Sequence, residues 1–521
     1  METAPVRSER VGASMPEDAD FMARDMMWFA YGRGTDRPEP PVPPSGPLSE
    51  TEVTPGLPDA ARSGPLTALP HGTVDLLERL PFPGGRFPGG AGADRLGHAL
   101  AAAFGVQRRE PENPFNDHRG YPSVRGRFPV QVLAGERGRW GVLDVYRHAL
   151  AGLPAAGDVR GAAGRAVVLA GRYTRLPPVY KWFRGSLVHL ELGINLRMLC
   201  LALELFGLPG RLRLPGASGE EDLAALGLAP AWQWSLPLTV ELDADGPGSG
   251  PGSGPGDERT GGGGNGVPRP RAADAGAGAP DPVLAEVLAV NRAQDFREPP
   301  APLDPAIPAA ADGPAGRALS WAEVLWRRTS GRMPRGLYGM NGRRRRLPAA
   351  ALHDALAWLA LPPPGGALRA VHDSLRITGV VQAVDGCADG IHRVAGGSLV
   401  PYAEDPAAAA RLEEHYGYPL APGNGCDVRH ASVVWFLSVR PREVMERFGP
   451  GAWCAAQYAA GWAAQGLCLA AAAHGLYARP VRAFREAPTR EILGLGPDEM
   501  IVFSVITGTP RYTGPLLDVR L

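Results

Sequence analysis

The feature that most constrains this chain is that it repeats itself. Cys200-Leu201-Ala202 is followed by Gly207-Leu208 and then Arg211, and Cys468-Leu469-Ala470 is followed at the same spacings by Gly475-Leu476 and Arg479. Leu226-Gly227-Leu228 is answered by Leu493-Gly494-Leu495, one residue out of step. Each copy reads as a long apolar helix, a Gly-Leu stop, a short strand, a short helix ending in Leu-Gly-Leu, and a last strand, Leu236 to Leu242 in one and Met500 to Ile506 in the other. The glycine after each helix suits a C′ position, where the backbone takes positive φ. A unit repeated in order builds the same structure twice, so two like domains are expected. The length of 521 residues agrees, since domains usually run to about 100–150 residues.

Between the copies the composition changes. Residues 246–282 read GPGSGPGSGPGDERTGGGGNGVPRPRAADAGAGAPDP, which cannot bury enough apolar surface to offset the entropy of ordering it. The expected organisation is a Pro-rich segment 1–65 with one helix-like stretch from Phe21 to Tyr31, a first domain over 66–245, a flexible Gly/Pro-rich linker over 246–315 holding one short helix from Val283 to Asn291, and a second domain over 316–521.

Several function classes are disfavoured. Lys plus Arg equals Asp plus Glu at 54 each, so nothing selects nucleic acid or an anionic membrane as partner. The five cysteines include no CxxC pair, and His148, His189, His372, His430 and His474 have no metal-ligand spacing. The start, METAPVRSERVGAS, lacks the apolar region of a signal peptide, and the expected compartment is the cytoplasm. The stretch Val188 to Phe206 contains His189, Glu191, Asn195, Arg197 and Glu204, and reads as a buried core helix instead of a membrane span. Gly261 to Gly264 lacks the strand and helix of a phosphate loop, and no GxSxG is present.

Three segments carry chemistry. Arg328-Thr329-Ser330-Gly331-Arg332 offers two guanidiniums and a hydroxyl, a set able to clamp a phosphate; the first block has only Leu77-Glu78-Arg79-Leu80-Pro81 there. Tyr121-Pro122-Ser123-Val124-Arg125-Gly126-Arg127-Phe128-Pro129 leads into a strand, whereas the second block has Pro363-Pro364-Gly365-Gly366-Ala367-Leu368, where Pro364 removes both a hydroxyl and a backbone donor. Tyr180 and Lys181 precede the first long helix, while the second block has Arg447-Phe448-Gly449.

In these motifs, and in their order, the chain resembles the nitroreductase superfamily, and within it the SagB-type (McbC-like) azoline dehydrogenases of thiazole- and oxazole-forming peptide pathways. The resemblance implies an α+β fold, with a mixed, mostly antiparallel sheet of four or five strands in each copy and the long helices at the interface. It implies FMN as cofactor. Arg328, Ser330 and Arg332 would hold its phosphate, and Pro122, Ser123 and Arg125 would line it from the other side. Arg482 and Ala483 would approach N5 and O4 through their backbone, and Arg511 would lie near the phosphate. Tyr180 or Lys181 would take the substrate proton, with Trp182 an open third possibility. Arg125 or Arg213 would offset the charge of the reduced ring.

Such proteins are usually homodimers in which one subunit supplies the clamp and the other the Pro-Ser loop. Here block two keeps the clamp and block one keeps the loop. Two tandem nitroreductase-like domains forming an intramolecular pseudo-dimer, with a single flavin site, are therefore expected. The implied substrate is a precursor peptide in a ribosomally made natural-product pathway, with a cyclodehydratase complex as partner and neither nucleic acid nor membrane involved. Two alternatives stay open: a general NAD(P)H-dependent nitro or quinone reductase, and a flavin-free scaffold of a peptide-modifying complex.

Overall fold

The computed structural model describes residues 57–88, 94–113, 115, 117–136, 138–153, 164–243, 280–309, 318–332, 342–416 and 427–520. The helix-like stretch from Phe21 to Tyr31 lies outside them.

In the first copy the strands are β1 (Leu66–Ala68), β2 (Val130–Glu136), β3 (Arg139–Asp144), β4 (Ala149–Leu153) and β5 (Arg165–Gly171). The long helix α1 (Phe183–Leu205) follows, then β6 (Gly210–Arg213) and β7 (Leu238–Leu242). The second copy opens on the short helix α2 (Trp321–Arg327) and continues through β8 (Arg376–Val381), β9 (Gly390–Ala395), β10 (Ser398–Glu404), β11 (Val433–Val439), helix α3 (Ala452–Ala473), β12 (Tyr477–Val481) and β13 (Met500–Pro510).

The two sheets have the same topology. Copy one orders its strands β4-β3-β2-β5-β7-β6, and copy two orders them β10-β9-β8-β11-β13-β12. β5 and β11 are separated by the same number of positions as Cys200 and Cys468. Both are largely apolar runs buried on both faces, as central strands must be. Every pairing between described strands is antiparallel, and the sheets are wider than expected, with eight and seven strands. The extra width in copy one comes from its edges: β1 pairs with β4, and Ala301–Pro302 pairs with β6.

That last strand belongs to the stretch expected to be linker. Residues 280–309 instead lie on the copies. Asp281 caps the helix Pro282–Asn291, its carboxylate accepting from the Leu284 amide at 2.9 Å. Val283, Leu284, Val287 and Leu288 are buried in the core. The Pro-rich composition that suggests flexibility is compatible with an edge strand, where proline costs no ladder hydrogen bond.

The two long helices pack on each other at the centre. Both are buried around their whole circumference, so neither has a polar face. Among the described residues α1 is long and apolar enough to cross a membrane, and all of it lies inside the protein. A second tie comes from the end of the chain, where Leu517–Asp518 pairs with Val106–Arg109 of copy one.

Candidate functional site

The loop after Gly120 is fixed from several directions. The Gly120 carbonyl accepts from Gln465 Nε2 on α3 at 3.1 Å. Ser123 Oγ donates to Glu191 Oε1 on α1 at 3.0 Å, and the Val124 amide donates to the same oxygen at 2.7 Å. Ser123 Oγ in turn accepts from the Phe128 amide at 2.8 Å. Within this loop Arg125, Gly126 and Phe128 have φ of 49°, 62° and 45°, a strained turn that persists only because its surroundings hold it. Pro122 is buried, and the Arg119 guanidinium lies 3.8 Å from the centre of the Phe128 ring.

The clamp segment follows α2, whose start is a capping box of Ser320 and Glu323. The Ala478 amide on β12 donates to the Thr329 carbonyl at 3.0 Å. Gly331 has φ of 63°, and a Cβ there would stand 2.5 Å from the Tyr477 ring, so this position needs glycine on both counts. Arg328 does not point outward. It is buried, and it donates to the Arg119 carbonyl at 2.9 Å and to Ser330 Oγ at 3.1 Å. Arg328 thereby ties the clamp to the strand that leads into the Tyr121–Pro129 loop of the other copy. Burial lowers its pKa to about 10, which leaves it charged at neutral pH.

The two copies meet around Phe115. The Arg332 guanidinium lies 4.6 Å from the centre of that ring, and Arg125 lies 5.8 Å from it. Arg125 is also 5.9 Å from the Tyr180 ring. Tyr180 closes a turn over Pro178–Tyr180, and Lys181 follows with φ of 48°. The start of α1 is tied down by Arg184, which binds the Asp281 carboxylate at 2.7 and 2.9 Å, and by Trp182 Nε1, which donates to Glu286 at 3.0 Å.

Arg482 also crosses between copies: it is buried and donates to Ser186 Oγ on α1 at 2.6 Å. Ala483 is half-buried against the smaller core cluster of copy two. Arg511 is exposed just beyond β13. Arg213 sits on edge strand β6, bound to Asp222 at 3.1 Å and Glu241 at 3.0 Å, so its charge is already matched. Arg332, Arg125, Tyr180 and the Ser123 loop are thus brought together, and Arg482 is bound to α1 at Ser186, shortly after Tyr180 and Lys181. Phe115, Arg119 and Glu191 were not singled out from the sequence. Glu191 had a readable signal, a carboxylate within a helix that the sequence marks as buried; Phe115 had none.

The symmetry-equivalent place in the other half is filled by the chain itself. Cys454, Gly451 and Pro215 correspond to Ser186, Phe183 and Ala483 by the separation that relates Cys200 to Cys468. The Phe296 amide donates to the Pro215 carbonyl at 3.0 Å, and its ring would lie 3.0 Å from a Cβ on Gly451. Cys454 Sγ lies 3.6 Å from Asn291 Oδ1, and Tyr458 donates to Gln294 Oε1 at 3.1 Å. Glu298 accepts from the Ala367 amide at 2.9 Å, closing the Pro363–Leu368 loop that the sequence sets against the Tyr121–Pro129 loop of copy one.

Electrostatically the first site centres on Glu191. Burial raises its carboxyl to about 7, against the lowering effect of the Val124 and Ser123 hydrogen bonds and of the Arg119 charge. Among the described residues no cluster could hold a metal ion.

No family model and no curated protein matches the sequence. Among solved structures, the chain is similar to a protein from Anabaena variabilis assigned as a nitroreductase, at 16% identity, over 80% of this chain and 88% of that one, with a TM-score of 0.59. Smaller likenesses are to the FMN and NADPH-dependent nitroreductase NfnB of Sphigopyxis (20% identity, 38% of this chain and 94% of that one, TM-score 0.23) and to the E. coli microcin synthetase McbBCD complex (12%, 35% and 70%, TM-score 0.28). These two align too little of the chain to carry weight. The Anabaena alignment has to run through both copies, and with the matching strand orders it gives this chain the nitroreductase fold, built twice in one polypeptide.

Proposed function

We propose that this chain is an FMN-dependent oxidoreductase whose one flavin site is shared by its two copies, and that it oxidises thiazolines or oxazolines to azoles in a ribosomally made precursor peptide. The observation that carries the flavin reading is the series Arg332, Phe115, Arg125 and Tyr180, in which the clamp of copy two meets three residues from the loops of copy one. The donor set suits the cofactor. A phosphate needs cations and hydroxyls, which Arg332 and Ser330 offer. A flat conjugated ring needs flat walls, which Phe115 and Tyr180 offer. Glu191 Oε2 is buried without a hydrogen-bond partner, a polar atom left for something else to satisfy.

When bound, FMN supplies the hydride acceptor, and the protein supplies placement and proton transfer. Arg332 and Ser330 would hold the phosphate end, and Arg125 would supply positive charge to offset that of the reduced ring. Tyr180 or Lys181 takes the azoline Cα proton, a role that usually contributes about 10²–10⁴-fold. The azoline reading rests on the Tyr180-Lys181 resemblance. A cyclodehydratase complex is the partner that would deliver such a substrate.

The test is the absorbance spectrum of the purified protein, with released cofactor identified by mass and counted per chain. One FMN is expected. Two FMN, or a colourless protein that FMN does not reconstitute, overturns the single-site reading. Azoline oxidation without nicotinamide supports the finer assignment; steady NADPH oxidation with a nitro or quinone acceptor, and none with an azoline peptide, replaces it.

A further inference from the structure

We infer that Glu191 is a positioning residue for the bound flavin, holding the Ser123–Phe128 loop with one carboxylate oxygen and offering the other to the ligand; this rests on the FMN reading above. Glu191 is 3% exposed, midway along α1. Its Oε1 accepts two hydrogen bonds, from Ser123 Oγ and from the Val124 amide. These two bonds, with the bond from the Phe128 amide to Ser123 Oγ, hold a loop containing three left-handed residues.

Its other oxygen, Oε2, is shut away from solvent and has no partner. An unsatisfied buried acceptor costs about 1–3 kcal/mol, and a helix that needed only apolar packing here would do better with leucine or alanine. The loop explains Oε1 and leaves Oε2 unused. A group with its carboxyl raised to about 7 is able to donate as well as accept near neutral pH, which suits a contact to a carbonyl or ring nitrogen.

The other half of the molecule supplies an independent argument. The residue equivalent to Glu191 on α3 is Ala459, and the residue in the place of Ser123 is Pro364. There the chain's own Asn291–Glu298 segment occupies the site, and both members of the carboxylate–hydroxyl pair are missing. The pair is present in the half that keeps the clamp and the Ser123 loop, and absent in the half where the chain fills the place itself.

The experiment is titration of FMN into the full chain, followed by quenching of flavin fluorescence, with the absorbance band and midpoint potential of the bound flavin as second and third readouts. Loss of a charge-assisted contact is expected to weaken FMN binding in Glu191→Ala about tenfold or more. Glu191→Gln, which can keep the loop bonds, is expected to bind within roughly threefold of wild type while its bound flavin has a shifted absorbance band and a more positive midpoint potential. Circular dichroism checks the fold, and Ser123→Ala provides a loop variant that leaves Glu191 in place. Glu191→Gln with the wild-type band and potential, or folded Glu191→Ala with wild-type affinity, overturns the inference alone. Wild type that takes up no FMN overturns the flavin reading, and this inference with it.

Discussion

Gly193 and Gly461 occupy equivalent positions in the two copies, and each rests on the backbone of the opposite helix. A Cβ on Gly193 would stand 2.1 Å from the Tyr458 carbonyl oxygen, and one on Gly461 would stand 2.1 Å from the Leu190 carbonyl oxygen. Leu190 and Tyr458 are themselves equivalent. The two contacts are therefore one contact made twice about a local two-fold axis, the isologous arrangement of a symmetric dimer, here inside a single chain.

Replacing Gly193 with alanine is accordingly expected to destabilise the whole molecule. The obstacle is backbone on a buried helix, so the crossing has to open. Overpacking a core usually costs about 1–3 kcal/mol, and the upper part of that range is expected here. Gly461→Ala should match it. Gly84→Ala, where a Cβ meets nothing within 4 Å, should leave the urea midpoint unchanged. Equal midpoints for all three variants would remove the crossing from the account of stability.

Arg332 is expected to matter most for cofactor affinity. Arg328 is buried and turned inward to the Arg119 carbonyl and Ser330, whereas Arg332 is the clamp guanidinium that lies at the shared boundary, beside Phe115. Its replacement by alanine should weaken FMN binding about 10–100-fold, the range for one charged contact. Arg332→Lys should recover only part of this, since an ammonium lacks the planar fork. Unchanged FMN affinity in Arg332→Ala, measured by fluorescence quenching, would move the phosphate elsewhere.

Stability should fall on acidification below about pH 6.5. His189 is fully buried, with Nε2 2.9 Å from the Tyr173 hydroxyl and its ring stacked 5.3 Å from that of Tyr458. Burial lowers its pKa from 6.5 to about 3. Between those values the unfolded chain takes up a proton that the folded chain refuses, so the stability is present above 6.5 and lost as pH falls toward 3. Burial shifts His118 and His372 in the same direction. Glu191 acts oppositely, losing stability as pH rises through about 7. Each such histidine contributes a slope of up to about 1.4 kcal/mol per pH unit. His189→Gln should therefore show a shallower decline in melting temperature than wild type between pH 6.5 and 4.5. Parallel curves would mean that His189 is not the group titrating.

Lys181 is expected to act on turnover and not on cofactor binding. It follows the turn that carries Tyr180 and sits next to the tied-down start of α1. Lys181→Ala should keep FMN bound and slow azoline oxidation at least about tenfold, the low end for a lost proton acceptor. An unchanged rate would take Lys181 out of the chemistry and leave Tyr180.

The duplication was legible because it lies in local signals: the Gly-Leu stops and Leu-Gly-Leu helix ends report backbone conformation, which is fixed residue by residue. Gly207 and Gly475 do take positive φ, as the stops require. The split of motifs between copies was legible too, since Pro364 in place of Ser123 is a change of donor chemistry visible in one letter. What escaped was long-range. That Arg328 turns inward depends on the Arg119 carbonyl, 209 positions away. The helix from Val283 to Asn291 was readable, but the docking of residues 280–309 comes from surfaces that neither composition nor spacing encodes, and Phe115 enters the site only through the placement of two arginines. The sheet edges were underestimated for the same reason: Ala301–Pro302 becomes a strand only because β6 leaves an unpaired side to receive it.

The filled second site gives the last prediction. Phe296 lies between the Pro215 carbonyl and the Gly451 turn, and Glu298 closes the Pro363–Leu368 loop. Phe296→Ala should lower stability by roughly 2 kcal/mol, less than for a fully buried phenylalanine because this ring is half-exposed. Opening the space should not create a second cofactor site, because no arginine clamp stands at Leu77–Pro81 and Ala459 and Pro364 offer no carboxylate or hydroxyl. The FMN count of Phe296→Ala should therefore equal that of wild type. A variant that bound a second FMN would show that the segment blocks a competent site and does not replace a lost one.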